Sequence, residues 1–574
     1  MVRPVSPGAP PSGPRRRPPA VSGAALAAIL AATLVLAAIV VAAQTVAESF
    51  ATHSLLPQGD EWTSLAVFRS VMTGRAVVSD MLGQHNEHRI LFPRLVLFSD
   101  YLVAGGSGRL DLVAIFVTQA LTCGLFLHLL AGGAARGPGR VAVGAVVVLL
   151  LASLRQSENF TWGFQVQFVG VFAAGSLAAS LFAAAIGAAR EGRAAGGRTA
   201  LALALAGIAT FSMSNGLLVA PVLLALAVLG RAPRRMTVLA ALATLGLTAA
   251  FFDGYEVLGS GSLRAALADD PLRIPAYAAA YLGNLLDPDM GACLLLGAAG
   301  LAWAALAALA AATARDRDPV RLALLGIMLF TAGSAALTAL GRSGDGLGSA
   351  MASRYATGAA CFWSAALVHA WSSAGALRRP RALQVLVGAV GLVLVVGILK
   401  VQAPTVEIMR RLGVARTAAG DALLQGLVDD EALRAIDDDP AQVREMLPFL
   451  RERRLGVFAD PDAGRLGRPL SDAGPVGALP CPGSLDVARA DPALGPDGVV
   501  VGGTAGGGAA LPGAGRILLA DPADRVVGLG AADPGGGAWT GYARARPGAE
   551  IRAFLRLRSG RLCGIGGTRA VSPP

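Results

Sequence analysis

The sequence predicts an all-α polytopic membrane protein of about eleven transmembrane helices with a C-terminal β-sandwich-like domain. Three observations carry that expectation. Hydrophobic residues make up 54% of the 574 and charged residues only 15%, where a soluble domain carries about 25% charge. Long apolar stretches alternate with short loops, and arginines gather in every second loop. Beyond Lys400 the composition turns to Gly, Pro and Asp with brief apolar runs.

A crossing helix needs about 20 mostly apolar residues. Stretches of this kind cover roughly 24–46, 110–131, 140–155, 163–188, 199–213, 216–230, 236–252, 290–313, 320–341, 352–373 and 382–401. Residues 1–23 form a basic N-terminus, and the run after it is longer than a signal-peptide core, so it reads as an uncleaved first span. Segments 62–73 and 90–104 read as juxtamembrane helices lying along the surface. Residues 24–401 thus form the membrane domain, 402–454 a helical linker and 455–574 a β-rich domain, with strands expected at 498–501, 516–519, 525–528 and 551–557.

The arginine clusters fix the expected orientation. They comprise Arg15 to Arg17, Arg136 and Arg140, Arg190, Arg193 and Arg198, Arg231, Arg234 and Arg235, Arg315, Arg317 and Arg321, and Arg378, Arg379 and Arg381. Short Arg-rich loops stay on the cytoplasmic side, which places the intervening loops and the C-terminal domain outside. Arg in place of Lys, with abundant Ala and Gly, suits a bacterial cytoplasmic (inner) membrane protein from a GC-rich genome. The net charge of +11 is spread over helix ends rather than one patch, which argues against a nucleic-acid partner. Membrane lipids are the expected surroundings. Cys481 and Cys563 fall in the outer domain, where a disulfide between them can form. The other three cysteines lie in apolar segments.

The outer loops hold the polar residues that carry chemistry. Asp60 and Glu61 follow the first span. A carboxylate there can act as a general base toward a hydroxyl, or Asp60 can simply cap the helix that follows. His85, Glu87, His88 and Arg89 form the densest ionisable cluster, suited to sugar hydroxyls, a phosphate or a divalent metal. No zinc-ligand spacing is present and no particular cofactor is indicated, so a divalent metal stays open.

Glu158, Trp162 and Gln165 share one helical face at the start of the fourth span, beside Asn159 and Gln167. Trp and Gln suit a sugar, and polar groups at that depth tend to face a cavity. Asn215 and Gly216 break two short helices, where free N–H groups suit an anion and a plain hairpin is the alternative. Arg342, Arg354 and Tyr355 stand at the entrance of the tenth span, where guanidinium can grip a phosphate or reach lipid headgroups.

An acidic pair after the first span, two juxtamembrane helices, a His-containing segment and a late outer-loop Arg resemble the integral-membrane GT-C glycosyltransferases. The likeness is to the protein mannosyltransferase and aminoarabinose transferase branch and covers about residues 24–400. It implies a sugar moved from a polyprenyl-phosphate donor to a hydroxyl on a cell-envelope glycan, lipid or protein. It implies Asp60 as catalytic base, Glu61 as its acidic neighbour and Arg354 as a phosphate ligand. His85 to Arg89 stand where that family carries a His-Pro-Pro-type segment, and here Asn86 and Glu87 replace the prolines. The β-rich domain resembles accessory carbohydrate-associated sandwiches. A flippase or transporter of lipid-linked sugars, an O-antigen-type polymerase or ligase, and a non-catalytic scaffold are the competing readings.

Overall fold

The computed structural model describes residues 23–132, 136–256, 270–313, 318–374, 380–506, 515–533, 536–557 and 559–574. Arg15 to Arg17, Arg315, Arg317, Arg378 and Arg379 lie outside the described residues.

Each apolar stretch does form a helix. These are α1 (Gly23–Thr52), α4 (Arg109–Ala131), α5 (Pro138–Ala152), α7 (Val166–Arg190), α8 (Gly196–Thr210), α9 (Val219–Leu229), α10 (Arg234–Phe252), α12 (Met290–Thr313), α13 (Pro319–Arg342), α14 (Ala356–Ala374) and α15 (Pro380–Leu424). The juxtamembrane helices are α2 (Glu61–Met72) and α3 (Leu91–Val103), and a single turn, α6 (Ser157–Thr161), follows α5. Eight helices among the described residues, not eleven, are long and apolar enough to cross a membrane. The expected spans at 199–213, 216–230 and 352–373 fall short for different reasons. Helices α8 and α9 have 15 and 11 residues and are split by a turn at Ser214–Leu218. Helix α14 has 19 residues but carries Thr357, Ser364, His369 and two tryptophans, all buried in the bundle, so no lipid-facing apolarity is demanded of it.

Exposed Leu36, Ile39, Leu242, Leu245, Leu306 and Val396 give α1, α10, α12 and α15 an outward apolar belt, while α7 and α14 form the centre. Helix α11 (Arg273–Gly283), outside every expected span, packs inside the bundle. A Cβ on Gly297 of α12 would meet Ala279 O of α11 at 1.8 Å, so glycine is what lets the two backbones touch. Arg140, Arg190, Arg198, Arg234 and Arg321 lie at one end of α5, α7, α8, α10 and α13. The other ends of these helices lead into the polar loops.

Helix α15 runs unbroken for 45 residues through Pro404, well past the expected end at 401. Arg410 pairs with Glu48 of α1 at 2.5 Å and Gln402 reaches Gln44 at 3.3 Å, which carries the helix across the proline. The short α16 (Asp430–Leu433) and α17 (Pro440–Arg453) then fold back onto α2 and α3, where Phe68 meets Phe449 with ring centres 6.2 Å apart.

The C-terminal region is one seven-stranded antiparallel sheet rather than a two-sheet sandwich. Apart from the small hairpin β1 (Gln84–His85) and β2 (His88–Arg89), its strands are β3 (Gly483–Ala490), β4 (Gly498–Ala505), β5 (Gly515–Ala520), β6 (Val526–Ala532), β7 (Gly537–Arg544), β8 (Glu550–Arg556) and β9 (Leu562–Ala570). Their order is β3-β4-β7-β6-β5-β8-β9. The sheet curls until its edges approach, giving a barrel-like form. Cys481 N donates to Gly564 O at 2.9 Å and Ala490 N to Ser572 O at 3.0 Å. The Cys481–Cys563 disulfide, with Cα atoms 5.5 Å apart, fastens the same seam. Glycines at the β6–β7 contact explain the curl: a Cβ on Gly541 would lie 2.6 Å from Leu529 O.

Candidate functional site

A cavity of about 500 Å³ opens at the end of the bundle opposite the arginine clusters. Asp60, His85, Glu87, His88, Trp162, Gln165, Asn215, Arg342, Arg354 and Tyr355 line it, with Gln167, Phe251, Phe252, Tyr255 and Tyr281.

Asp60 occupies the N-cap position of α2 but its side chain makes no capping bond, so the capping alternative does not hold. Gly59 has φ +46°, and a Cβ there would press to 3.1 Å of the Trp162 ring. The turn therefore needs glycine, and its amide is held by Ile436 O at 3.0 Å. This leaves the Asp60 carboxylate half exposed at the cavity, 3.9 Å from His85 Nε2.

The two histidines ride on the β1–β2 hairpin, whose turn is Asn86–Glu87 with Asn86 at φ +46°, a conformation Asn tolerates well. His85 and His88 face each other across the strands. Burial against Phe164 holds the His85 pKa below its ordinary value, opposed by the Asp60 carboxylate. His88 Nδ1 meets Ser214 Oγ at 2.9 Å, and burial pushes its pKa down to about 4. An imidazole and a carboxylate side by side at a cavity suit acid–base chemistry.

The opposite wall is cationic and aromatic. Arg354 lies over the Tyr355 ring at 5.2 Å, and Tyr355 stacks on Tyr281 with centres 5.0 Å apart. Arg342 is half exposed and 3.8 Å from Asp345. Two guanidiniums facing a cavity with an aromatic wall suit an anionic group joined to an apolar or sugar moiety.

Four expected site residues do not line the cavity. Glu61 turns into the core, where Tyr101 Oη donates to it at 3.4 Å and burial pushes its pKa up to about 8. Adjacent residues at a helix start point in different directions, so only one carboxylate reaches the cavity. Arg89 spends its donors on the backbone oxygens of Phe251 (2.7 Å), Leu82 (2.9 Å) and Asp253, which fixes the aromatic lip after α10. Glu158 accepts the Arg354 amide at 3.0 Å and lies 3.6 Å from its guanidinium. Asn159 donates to Arg354 O at 2.8 Å and Thr357 Oγ1 at 2.7 Å. The α6 turn thus uses its polar face to position the arginine loop. Gly216 begins no α-helix either, since a 3₁₀ turn spans Ser214–Leu218 and α9 starts at Val219.

Sequence reasoning missed Phe251, Phe252, Tyr255 and Tyr281. The available signal was scarcity: of six tyrosines in the chain, three line this cavity. It missed Arg155 as well, which donates to Asn284 O at 2.8 Å and Met351 O at 2.5 Å and so ties α11 to the arginine loop. Among the described residues no group of three or more His, Cys, Asp or Glu side chains is placed to hold a metal ion.

No known protein family, curated protein or solved structure matches this chain. The geometry of the cavity is therefore what bears on function.

Proposed function

We propose that this chain is a GT-C-like glycosyltransferase of a bacterial cytoplasmic membrane, which moves a sugar from a polyprenyl-phosphate donor to an extracytoplasmic hydroxyl. The observation that carries the reading is the placement of one uncapped carboxylate, Asp60, and two guanidiniums, Arg342 and Arg354, around a single cavity.

Asp60 takes the proton of the acceptor hydroxyl as that oxygen attacks the anomeric carbon. The bond from that carbon to the phosphate oxygen breaks, and the sugar configuration inverts. Negative charge grows on the departing polyprenyl phosphate, and Arg354, assisted by Arg342, stabilises it. Glu158 and Asn159 hold Arg354 in place. His85 Nε2 sits 3.9 Å from the Asp60 carboxylate. A flippase would carry its ionisable groups near mid-membrane in paired broken helices. Here those lining the cavity gather at one end of the bundle.

The test is reconstitution. Full-length protein in lipid nanodiscs receives polyprenyl-phosphate hexoses and a hydroxyl acceptor extract, and release of free polyprenyl phosphate is followed by mass spectrometry. Release that requires both donor and acceptor supports the reading. Transbilayer movement of intact donor without release overturns it.

A further inference from the structure

We infer that the molecule carries a second binding site, at the arginine end of the bundle, for one anionic phospholipid of the facing leaflet. The site needs only the membrane setting and owes nothing to the chemistry around Asp60. A cavity of about 440 Å³ lies between the ends of α4 and α7 and the start of α13. Its walls are apolar, with Leu125 on α4, Leu177 and Leu181 on α7 and Val320 on α13. Helices α7 and α13 meet in its wall, where a Cβ on Gly187 would reach Pro319 at 2.6 Å. Leu125 also continues a stripe of outward side chains on α4. Leu121 and Val117 stand four and eight residues before it, 70% and 54% exposed, and four-residue spacing keeps them on one side of the helix. An acyl chain therefore has a continuous apolar track from the cavity toward the bilayer centre.

The rim of this cavity is charged, with His128, Glu191, Arg193 and Arg198. Arg193 pairs with Glu191, both 61% exposed, so those two charges cancel. Arg198 is exposed and has no acidic partner among the described residues. It stands in the first turn of α8, whose N-terminus has no side-chain cap and adds the positive end of its dipole. One uncompensated guanidinium beside an apolar cleft matches a lipid whose phosphate keeps a single negative charge, because the headgroup meets the arginine while a chain lies along the leucines. A zwitterionic headgroup would bring its ammonium close to Arg198 and gain less.

The experiment is native mass spectrometry of the full-length protein titrated with three probes. These are phosphatidylglycerol, phosphatidylethanolamine with the same acyl chains, and inorganic phosphate. One phosphatidylglycerol should bind about 10-fold tighter than phosphatidylethanolamine, the gain of one charge-assisted contact. Inorganic phosphate should not displace it, because the chains carry part of the binding. Arg198→Glu should abolish the preference. Ala184→Trp, which fills the cleft from an exposed position, should weaken both lipids. Either variant serves if the other fails to fold. Arg235→Glu, at the same end but outside the cavity, should leave binding unchanged. Equal affinity for the two lipids, phosphatidylglycerol binding unmoved in both cavity variants, an equal loss in Arg235→Glu, or displacement by inorganic phosphate overturns the inference. Each of these outcomes leaves the glycosyltransferase reading standing.

Discussion

The cavity and the ionic cluster that joins α15 to the sheet both gather charged side chains, and they differ in what those side chains meet. In the cluster Arg516 faces Asp421 at 2.5 Å, Asp460 at 3.4 Å and Asp462 at 3.1 Å, and Arg556 and Arg465 close on Asp462 at 2.8 and 2.9 Å. Three acids and three arginines balance, so the charges answer one another inside the protein. In the cavity the side chains of Asp60, Arg342 and Arg354 are 52%, 49% and 37% exposed, so their charges face open space. Buried polarity that is matched in charge holds a domain in position. Charge left facing a cavity is available to a ligand.

That contrast can be broken from either side. Asp60→Asn should lower turnover roughly 10²–10⁴-fold with the melting temperature unchanged, since the carboxylate caps nothing and is half exposed. Steady-state release of polyprenyl phosphate checks this, and near-normal turnover would remove Asp60 from the chemistry. Arg354→Ala should lower kcat by about 10²–10³-fold, with Arg354→Lys recovering only part, because an ammonium cannot reproduce a planar bidentate grip.

On the cluster side, Asp462→Ala should cost about 3 kcal/mol of stability by leaving Arg516, Arg556 and Arg465 short of a partner. Burial would raise the Asp462 pKa, but Arg516 and Arg556 outweigh it and hold it below the usual 3.8. Its stabilisation is therefore present above that value and fades as pH falls below it. A thermal-shift series from pH 7 to pH 3 reads this, and a variant as stable as the wild type would make the cluster ornamental. Glu158→Gln, which keeps the shape and loses the charge beside Arg354, should cost about 10-fold in kcat/KM. A loss as large as that of Asp60→Asn would place Glu158 in the chemistry after all.

The smallest effect belongs to Glu61. Burial raises its pKa from 4.5 to about 8, so its contribution to stability is whole at acid pH and is lost as pH climbs between those values. Glu61→Gln should flatten the decline in melting temperature from pH 5 to pH 9 with turnover retained. An unchanged slope would mean the carboxyl ionises freely.

Much of this was legible in the residues, and the failures have physical causes. Helix positions followed from apolar run length, because a span must cover the hydrocarbon with its own side chains. Which helices face lipid did not follow: α14 is surrounded by protein, and composition alone does not say what surrounds a helix. Ten expected site residues meet at one cavity because polar residues at one end of a bundle converge there. Glu61, Arg89, Glu158 and Asn159 failed for one reason. Proximity in sequence gave their location and left open which way each side chain turns, and packing turned them toward Tyr101, the α10 lip and the Arg354 loop. The sandwich expectation failed because strand signals report extended segments and leave open how a glycine-rich sheet curls.

The most direct measurement is a cryo-EM structure of the full-length protein with a non-transferable polyprenyl-phosphonate hexose. The account predicts ligand density in the cavity, with the phosphonate within about 3 Å of the Arg354 guanidinium. The anomeric carbon should be open to a hydroxyl beside Asp60. A ligand bound elsewhere with this cavity empty, or seated with its phosphonate turned away from both arginines, would contradict it.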